Sequence, residues 1–355
     1  MDQSTVDPAK AGRGRSTGVL LHPTALPGSP VCGSFGEPCR RWLQLLADHG
    51  IGVWQMLPLA PPDPTGSPYS SPSCNALNPW FLDGQDLANE GFIGEEALRA
   101  APGADAPLEG AERVEFNLAQ QRASALGDAL LDAWPEQDPV RHAAFNSWAQ
   151  QQRSWLQDHA RFQVLHDQHN TAWWEWPLPL ARHDNKALRS WAEQHDDALL
   201  REQLIQWQLD RQWQAIRRQA TNLGIQLFGD LPFYVSSDSA DVWSKRSLFT
   251  VKENGQLSPP RAACRPITSR KPDSCGAHRC TAGDSIGSHG SDGGGEELRG
   301  KESLWICCAW ITSVPLRPSG PSPVPTAPRR TVNGSPPQAM PCCASCAEML
   351  VVLFL

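Results

Sequence analysis

The chain has 355 residues and a formal net charge of -7. A chain of this length can bury one large α/β core or two ordinary ones. Its acidic balance provides no basic surface, so nucleic acid and anionic membranes are excluded as expected partners, and a neutral or polar small molecule is favoured.

Both ends of the chain lack membrane or export signals. Residues 1–15 are predicted to be a flexible N-terminus, and Met1 to Lys10 lack the apolar core of a secretory signal. The late apolar run from Met349 to Leu355 is much shorter than the roughly 20 residues that span a bilayer. We therefore expect a cytoplasmic protein without a membrane anchor.

The first predicted elements form a strand–helix–strand unit. The apolar run Gly18 to His22 indicates a buried strand, and Gly52 to Leu57 indicates a second one. Between them, Cys39 to His49 has helical spacing, with Gly50 as the stop. This order favours a βαβ unit and a parallel sheet.

A long helical insertion is predicted over about residues 84–222. Its helices are expected at Asn117 to Leu131, Arg141 to His166 and Asn185 to Leu223, with Gly224 ending the last one. A third strand, Ile225 to Phe228, then leads into Asp230. Asp230 is therefore expected at the carboxyl end of a parallel strand, where α/β barrels place their chemistry.

Four stretches in order carry a family resemblance. They are Gly18-Val-Leu-Leu-His-Pro-Thr-Ala-Leu-Pro27, Trp54-Gln-Met-Leu-Pro-Leu59 with Ser67-Pro68-Tyr69, Trp173-Trp-Glu-Trp-Pro-Leu-Pro179, and Gly229-Asp-Leu-Pro-Phe-Tyr-Val235 with Asp238-Ser-Ala-Asp-Val-Trp243. The chain resembles the 4-α-glucanotransferase (amylomaltase) family of the α-amylase superfamily. The resemblance implies an α/β fold in which residues 16–257 form the N-terminal portion of a (β/α)8 TIM-type barrel with an inserted helical subdomain.

The resemblance also implies a substrate-binding role for Ser67, Tyr69 and Asp230. The flat face of Tyr69 would contact a pyranose ring, and Asp230 would support the active centre. The simpler interpretations are a loop tyrosine packed on Pro68 and a turn or cap residue at position 230. Asp238 and Trp243, from the same motif, are expected to be structural.

The chemistry that the resemblance implies is retaining transfer between α-1,4-glucans, such as maltooligosaccharides, maltodextrin, glycogen or starch. An aspartate attacks the anomeric carbon and a glutamate protonates the leaving oxygen, and a second glucan then accepts the glucosyl unit. This reaction requires no metal and no organic cofactor.

The composition changes near residue 257. Thirteen of the fifteen tryptophans precede it, whereas eight of the eleven cysteines follow it, among prolines and glycines without helical or strand period. Three interpretations of residues 258–355 compete: a natural disordered region, a cysteine metal module, or an out-of-frame translation product. The metal module is the weakest, because Cys343-Ala-Ser-Cys346 is the only CxxC and has no second pair.

Reading the codons of the tail in a shifted frame favours the out-of-frame interpretation, and with it an irregular tail. Family members should continue with Gly-Val-Pro-Pro-Asp-Tyr-Phe, then Gly-Gln-x-Trp-Gly-x-Pro, then the Arg-Ile-Asp-His segment with the nucleophile, and the chain contains none of these. With suitable codons and a shift of one nucleotide, Ala263 to Ser269 becomes the first motif and Asp273 to Arg279 the second. The same shift turns Trp310 to Val314 into a segment containing Asp-His-Leu-Arg.

The sequence therefore predicts a 4-α-glucanotransferase by resemblance, with no nucleophile or acid/base carboxylate in the chain as written. The alternatives are a non-catalytic glucan-binding fragment that uses Tyr69, or a non-functional translation product.

Overall fold

The structure is a computed structural model, and it describes residues 16–106, 113–230 and 235–249 together with the two-residue strand His278–Arg279. The predicted flexible N-terminus, 1–15, lies outside the described residues. The same holds for the predicted irregular tail, 258–355, apart from that strand, which the sequence analysis did not anticipate.

Three parallel strands form the main sheet. They are β1 (Gly18–Leu20), β2 (Val53–Gln55) and β3 (Gln226–Phe228), in the order β1-β2-β3, and Leu20, Gln55 and Phe228 are in register. Helix α1 (Glu37–Asp48) connects β1 to β2. The predicted βαβ unit and the third parallel strand are therefore confirmed. The expected burial of β1 was wrong, because Leu20 is 54% exposed.

Among the described residues, eight α-helices lie between β2 and β3. They are α2 (Gly84–Asn89), α3 (Glu95–Ala100), α4 (Phe116–Ala133), α5 (Pro139–Gln151), α6 (Arg153–His169), α7 (Leu178–Ala181), α8 (Asn185–Ala192) and α9 (Asp196–Asn222). After β3 come β4 (Val235–Ser236), α10 (Ala240–Ser244) and β5 (His278–Arg279), and β5 pairs antiparallel with β4.

Glycines follow α1 and α9, the last helix of the insertion, as predicted. Gly50 follows α1 with φ of 67°, and Gly224 follows α9 with φ of 72°. A left-handed residue just after a helix is favoured as glycine, because other side chains are strained there.

Two predicted helices are each broken in the structure, so the single-helix expectations were wrong. The stretch Arg141 to His166 divides at Gln152, where α5 ends and α6 begins. The stretch Asn185 to Leu223 divides at residues 193–195, where the His195 ring stacks on Trp191 with centroids 4.4 Å apart. Asp196 and Asp197 then start α9, since acidic side chains favour the positive end of a helix.

The largest core joins the sheet to the helical insertion. Phe35 stacks on Phe81 with ring centroids 4.6 Å apart and lies 4.9 Å from the ring of Trp213 on α9. Helix α9 is buried on several sides, and it contacts α1, α4, α6 and β3. Because α9 contacts β3 of the sheet as well as the other helices, it joins the insertion to the sheet.

A second core surrounds Trp243, whose side chain is fully buried and whose indole N–H donates to Leu180 O at 2.9 Å. Asp238 accepts from the backbone N–H of Trp173 at 3.2 Å and lies 3.2 Å from His166 Nε2. The hydrogen bond to Asp238 raises the pKa of His166 despite opposing desolvation. Both motif residues thus contact the helical insertion in the structure.

No helix in the described part of the chain is both long enough and apolar enough to cross a bilayer.

One buried histidine makes the fold sensitive to acid. His159 on α6 is 2% exposed, and neither ring nitrogen has a hydrogen-bond partner among the described residues. Burial lowers the pKa of His159 from 6.5 to about 4. Because the unfolded chain binds this proton more readily than the folded one, stability present above pH 6.5 is lost as the pH falls toward 4.

The parent chain should lose free energy of unfolding as the pH falls from 6.5 to 4, and we expect His159→Phe to make this loss smaller by about 3 kcal/mol. The figure follows from 1.36 kcal/mol for each unit of pKa difference between the folded and unfolded chain. Urea denaturation at both pH values measures it. The variant His49→Gln, which keeps His159, should retain the full loss. Equal losses in the parent and in His159→Phe would contradict the burial argument.

Candidate functional site

The carboxyl ends of the three parallel strands meet at one edge of the sheet. Leu20, Gln55 and Phe228 are the last residues of β1, β2 and β3 and are aligned. Beyond them lie His22, the long loop that follows β2, and Asp230. This edge therefore brings together segments that are distant in the chain, as expected for a parallel α/β sheet.

Tyr69 and Asp230 meet at this edge. The Tyr69 hydroxyl donates to Asp230 Oδ2 at 2.6 Å, although the two residues are 161 positions apart. This hydrogen bond, with smaller contributions from desolvation and the Asp230 charge, raises the pKa of Tyr69 to about 12. The Tyr69 side chain is 37% exposed, so the ring stays accessible while its hydroxyl is fixed.

Ser67 shapes the turn that carries Tyr69. Its hydroxyl accepts from the backbone N–H of Tyr69 at 3.4 Å, at the start of the 3-10 turn Pro68–Ser70. The residues before Tyr69 form a hydrogen-bonded turn. Asp63 N–H donates to Ser67 O at 3.0 Å, and Ser67 N–H donates to Asp63 Oδ1 at 3.0 Å. Asp63 Oδ1 also accepts from the backbone N–H of Thr65 at 2.9 Å. We call residues 63–67 the Asp63 turn.

Helices α9 and α10 hold the rest of the loop through side chains. Gln206 on α9 both accepts from Leu77 N–H and donates to Leu77 O, each at 2.9 Å. Gln212, further along α9, does the same for Asp83 at 3.0 Å and 3.0 Å. On α10, Asp241 Oδ2 accepts from the N–H of Cys74 at 2.8 Å. These bonds satisfy loop groups that no regular ladder pairs.

His22 lies at the same edge and was not predicted from the sequence to be a site residue. Its Nδ1 is 2.8 Å from Thr24 Oγ1 and its Nε2 is 3.4 Å from Pro58 O. Desolvation lowers the pKa of His22, which favours the neutral ring at pH 7. Its position directly after the predicted strand was the available signal, but the end of a strand before Pro23 explains that position equally well.

A phenol hydrogen-bonded to a carboxylate can bind and orient a polar ligand. Asp230 can accept hydrogen bonds from hydroxyl groups, and the Tyr69 ring offers a flat apolar face beside it. Within the described residues, no three His, Cys, Asp or Glu side chains form a group that could hold a metal ion. The arrangement supports the binding and positioning of such a ligand.

The sequence of the chain matches one protein family. The sequence profile described as 4-alpha-glucanotransferase matches residues 21–266. The chain is 34% identical to the 4-alpha-glucanotransferase of Synechocystis sp. over 247 residues, covering 69% of this chain and 48% of that protein. It is also 34% identical to the Thermus thermophilus enzyme over 244 residues, covering 68% and 47%.

A solved structure shares the fold. It is the amylomaltase from Streptococcus agalactiae in complex with acarbose, with a TM-score of 0.63, 26% sequence identity, and coverage of 68% of this chain and 48% of that chain. The fold is therefore of the TIM-barrel-like α/β class. With the profile match, this shows that the chain belongs to the 4-α-glucanotransferase family. It spans about half the length of the curated relatives it matches.

The contact between Tyr69 and Asp230 predicts a specific titration. Tyr69 and Tyr234 are the two tyrosines of the chain, so Tyr234→Phe leaves one phenol to observe. In that background, Asp230→Asn should lower the pKa of Tyr69 from about 12 toward 10, because an amide oxygen accepts a weaker hydrogen bond from the phenol and carries no charge. Phenolate absorbance against pH measures it.

Asp238→Asn is the matched control, since that carboxylate contacts His166 and Trp173. It should leave the pKa of Tyr69 unchanged. An unchanged pKa of Tyr69 in Asp230→Asn would show that the hydrogen bond is absent in solution.

Proposed function

We propose that this chain carries the glucan-positioning part of a 4-α-glucanotransferase and binds α-1,4-glucans at the sheet edge formed by Tyr69 and Asp230. The observation that supports this most is the 2.6 Å hydrogen bond between the two residues. This hydrogen bond brings together two of the motifs that carry the family resemblance, and it leaves the ring of Tyr69 accessible.

The glucan would lie with the apolar side of one pyranose ring on Tyr69. Its hydroxyl groups would then face Asp230, with Ser67 holding the turn. The acarbose complex of the related Streptococcus agalactiae amylomaltase supports a saccharide ligand for this fold. A cytoplasmic role in maltodextrin or glycogen metabolism follows from the family and remains a prediction.

The reaction proposed for the family member is retaining transfer, which needs a nucleophilic carboxylate and a carboxylic acid. We propose that the chain as written supplies neither, because its frame shifts between Gln256 and Ala262. The profile match ends at residue 266, within ten positions of the composition change. Binding without transfer is therefore the expected behaviour of this chain.

Titration with maltoheptaose should reveal saturable binding to the full chain. Tyr69→Ala should weaken it roughly tenfold, which corresponds to about 1.4 kcal/mol of lost ring contact. The control Val140→Ala removes another exposed apolar side chain, which is 77% exposed on α5, and should bind normally. Absence of a saturable site in folded protein would refute the binding proposal and favour a non-functional translation product.

With maltotriose, the chain should release no glucose or longer dextrins, because removing catalytic groups costs several powers of ten in rate. A time course at high protein concentration tests this. Transfer clearly above background would show that the chain has its own catalytic carboxylates.

Insertion of one nucleotide between the codons of Gln256 and Ala262 should yield a transferase. The shifted frame contains the missing loop, the tryptophan motif and an Asp-His pair near Trp310. In the repaired protein, Tyr69→Ala should mainly raise KM, whereas Asp230→Asn should mainly lower kcat. An early stop in the repaired frame, or a folded product without activity, would contradict the frameshift hypothesis.

A further inference from the structure

The turn that precedes Tyr69 is contacted by an aromatic ring from the helical insertion. Gly66, within the Asp63 turn, has φ of 84°, and a Cβ built there would collide with the ring of Phe116. The ring therefore lies directly against the backbone of the turn. Only glycine allows this approach, both because of the positive φ and because of the space.

Phe116 is held in this place by the helical insertion. It is the first residue of α4, and its ring stacks on Trp80 with centroids 5.3 Å apart and planes inclined by 24°. The indole N–H of Trp80 donates in turn to Gln120 Oε1, one turn further along α4, at 3.1 Å. The ring is thus held by α4 and Trp80, neither of which belongs to the Asp63 turn.

A cavity of about 170 Å³ adjoins the turn, lined among others by His22, Leu57, Gly66, Pro68 and Phe116. A turn beside such a space can collapse inward unless something opposes the movement. Phe116 is 43% exposed, so its role in the general core is small compared with its contact with the turn.

We propose that Phe116 is a positioning residue that braces the Asp63 turn through Gly66, so that the Tyr69 hydroxyl reaches Asp230. Phe116 contacts no substrate in this account. It acts through the turn, and the proposal rests on the proposed function only in assigning the glucan to Tyr69.

The direct test is the Tyr69 titration in the Tyr234→Phe background, which needs no glucan. Phe116→Ala should move the pKa of Tyr69 from about 12 toward 10, since the phenol is no longer held on Asp230. Gly66→Ala should produce the same pKa shift, because it alters the contact with Phe116 from the turn and leaves the sequence of α4 unaltered. Val140→Ala, on α5, should leave the value in place.

Circular dichroism verifies that each variant is folded. A Tyr69 titration that is unchanged in folded Phe116→Ala or in folded Gly66→Ala overturns the proposal.

A double-mutant cycle with maltoheptaose distinguishes positioning from direct contact. If Phe116 acts through Tyr69, the variant Phe116→Ala/Tyr69→Ala should bind no more weakly than Tyr69→Ala alone. Additive losses would overturn the proposal by assigning Phe116 its own glucan contact. If the phenol titration shifts but no variant, nor the parent, binds glucan, the proposed function fails and the positioning role stands.

Discussion

The loop between β2 and α2 imposes the main constraint on this structure, because buried backbone groups outside helices and strands need partners. Its two 3-10 turns, Pro68–Ser70 and Pro79–Phe81, pair few of these groups. Gln206 and Gln212 satisfy both backbone groups of Leu77 and Asp83, respectively. An unpaired buried group costs about 1–3 kcal/mol, so the loop path depends on α9 being in place.

This dependence gives the helical insertion a role beyond filling space. Helix α9 contacts β3 of the sheet, its Trp213 packs on Phe35 before α1, and it presents two buried glutamines to the loop. Helix α4 supports the same loop from another side through Phe116. A site built on a loop is precise only when rigid elements fix that loop, and here the insertion provides them.

Local patterns predicted the parts of the fold that depend on local chemistry. Short apolar runs ended by proline indicated β1 and β2, and Gly50 and Gly224 marked the ends of α1 and α9. Tyr69 and Asp230 were identified together because they lie in family motifs. In the structure the Tyr69 hydroxyl is 2.6 Å from Asp230 Oδ2, at the expected sheet edge. Their binding of glucan remains a prediction.

The tertiary constraints could not be predicted in the same way. In sequence, Gln206 and Gln212 look like residues of a solvated helix face, and their partners lie 129 positions away. The break between α8 and α9 was missed because the apolar spacing continues across Glu193 to His195, whereas the stacking of His195 on Trp191 depends on three-dimensional packing. Asp63 and Phe116 likewise gain importance only once the loop has closed.

Amide hydrogen exchange at Leu77 and Asp83 tests the central claim most directly, since both N–H groups lie outside regular structure and donate to glutamine side chains. We expect both amides to be protected in the parent chain. Gln206→Ala should release Leu77 while Asp83 stays protected, and Gln194→Ala, at an exposed glutamine, should release neither. Unprotected exchange of Leu77 in the parent chain would show that α9 does not hold the loop.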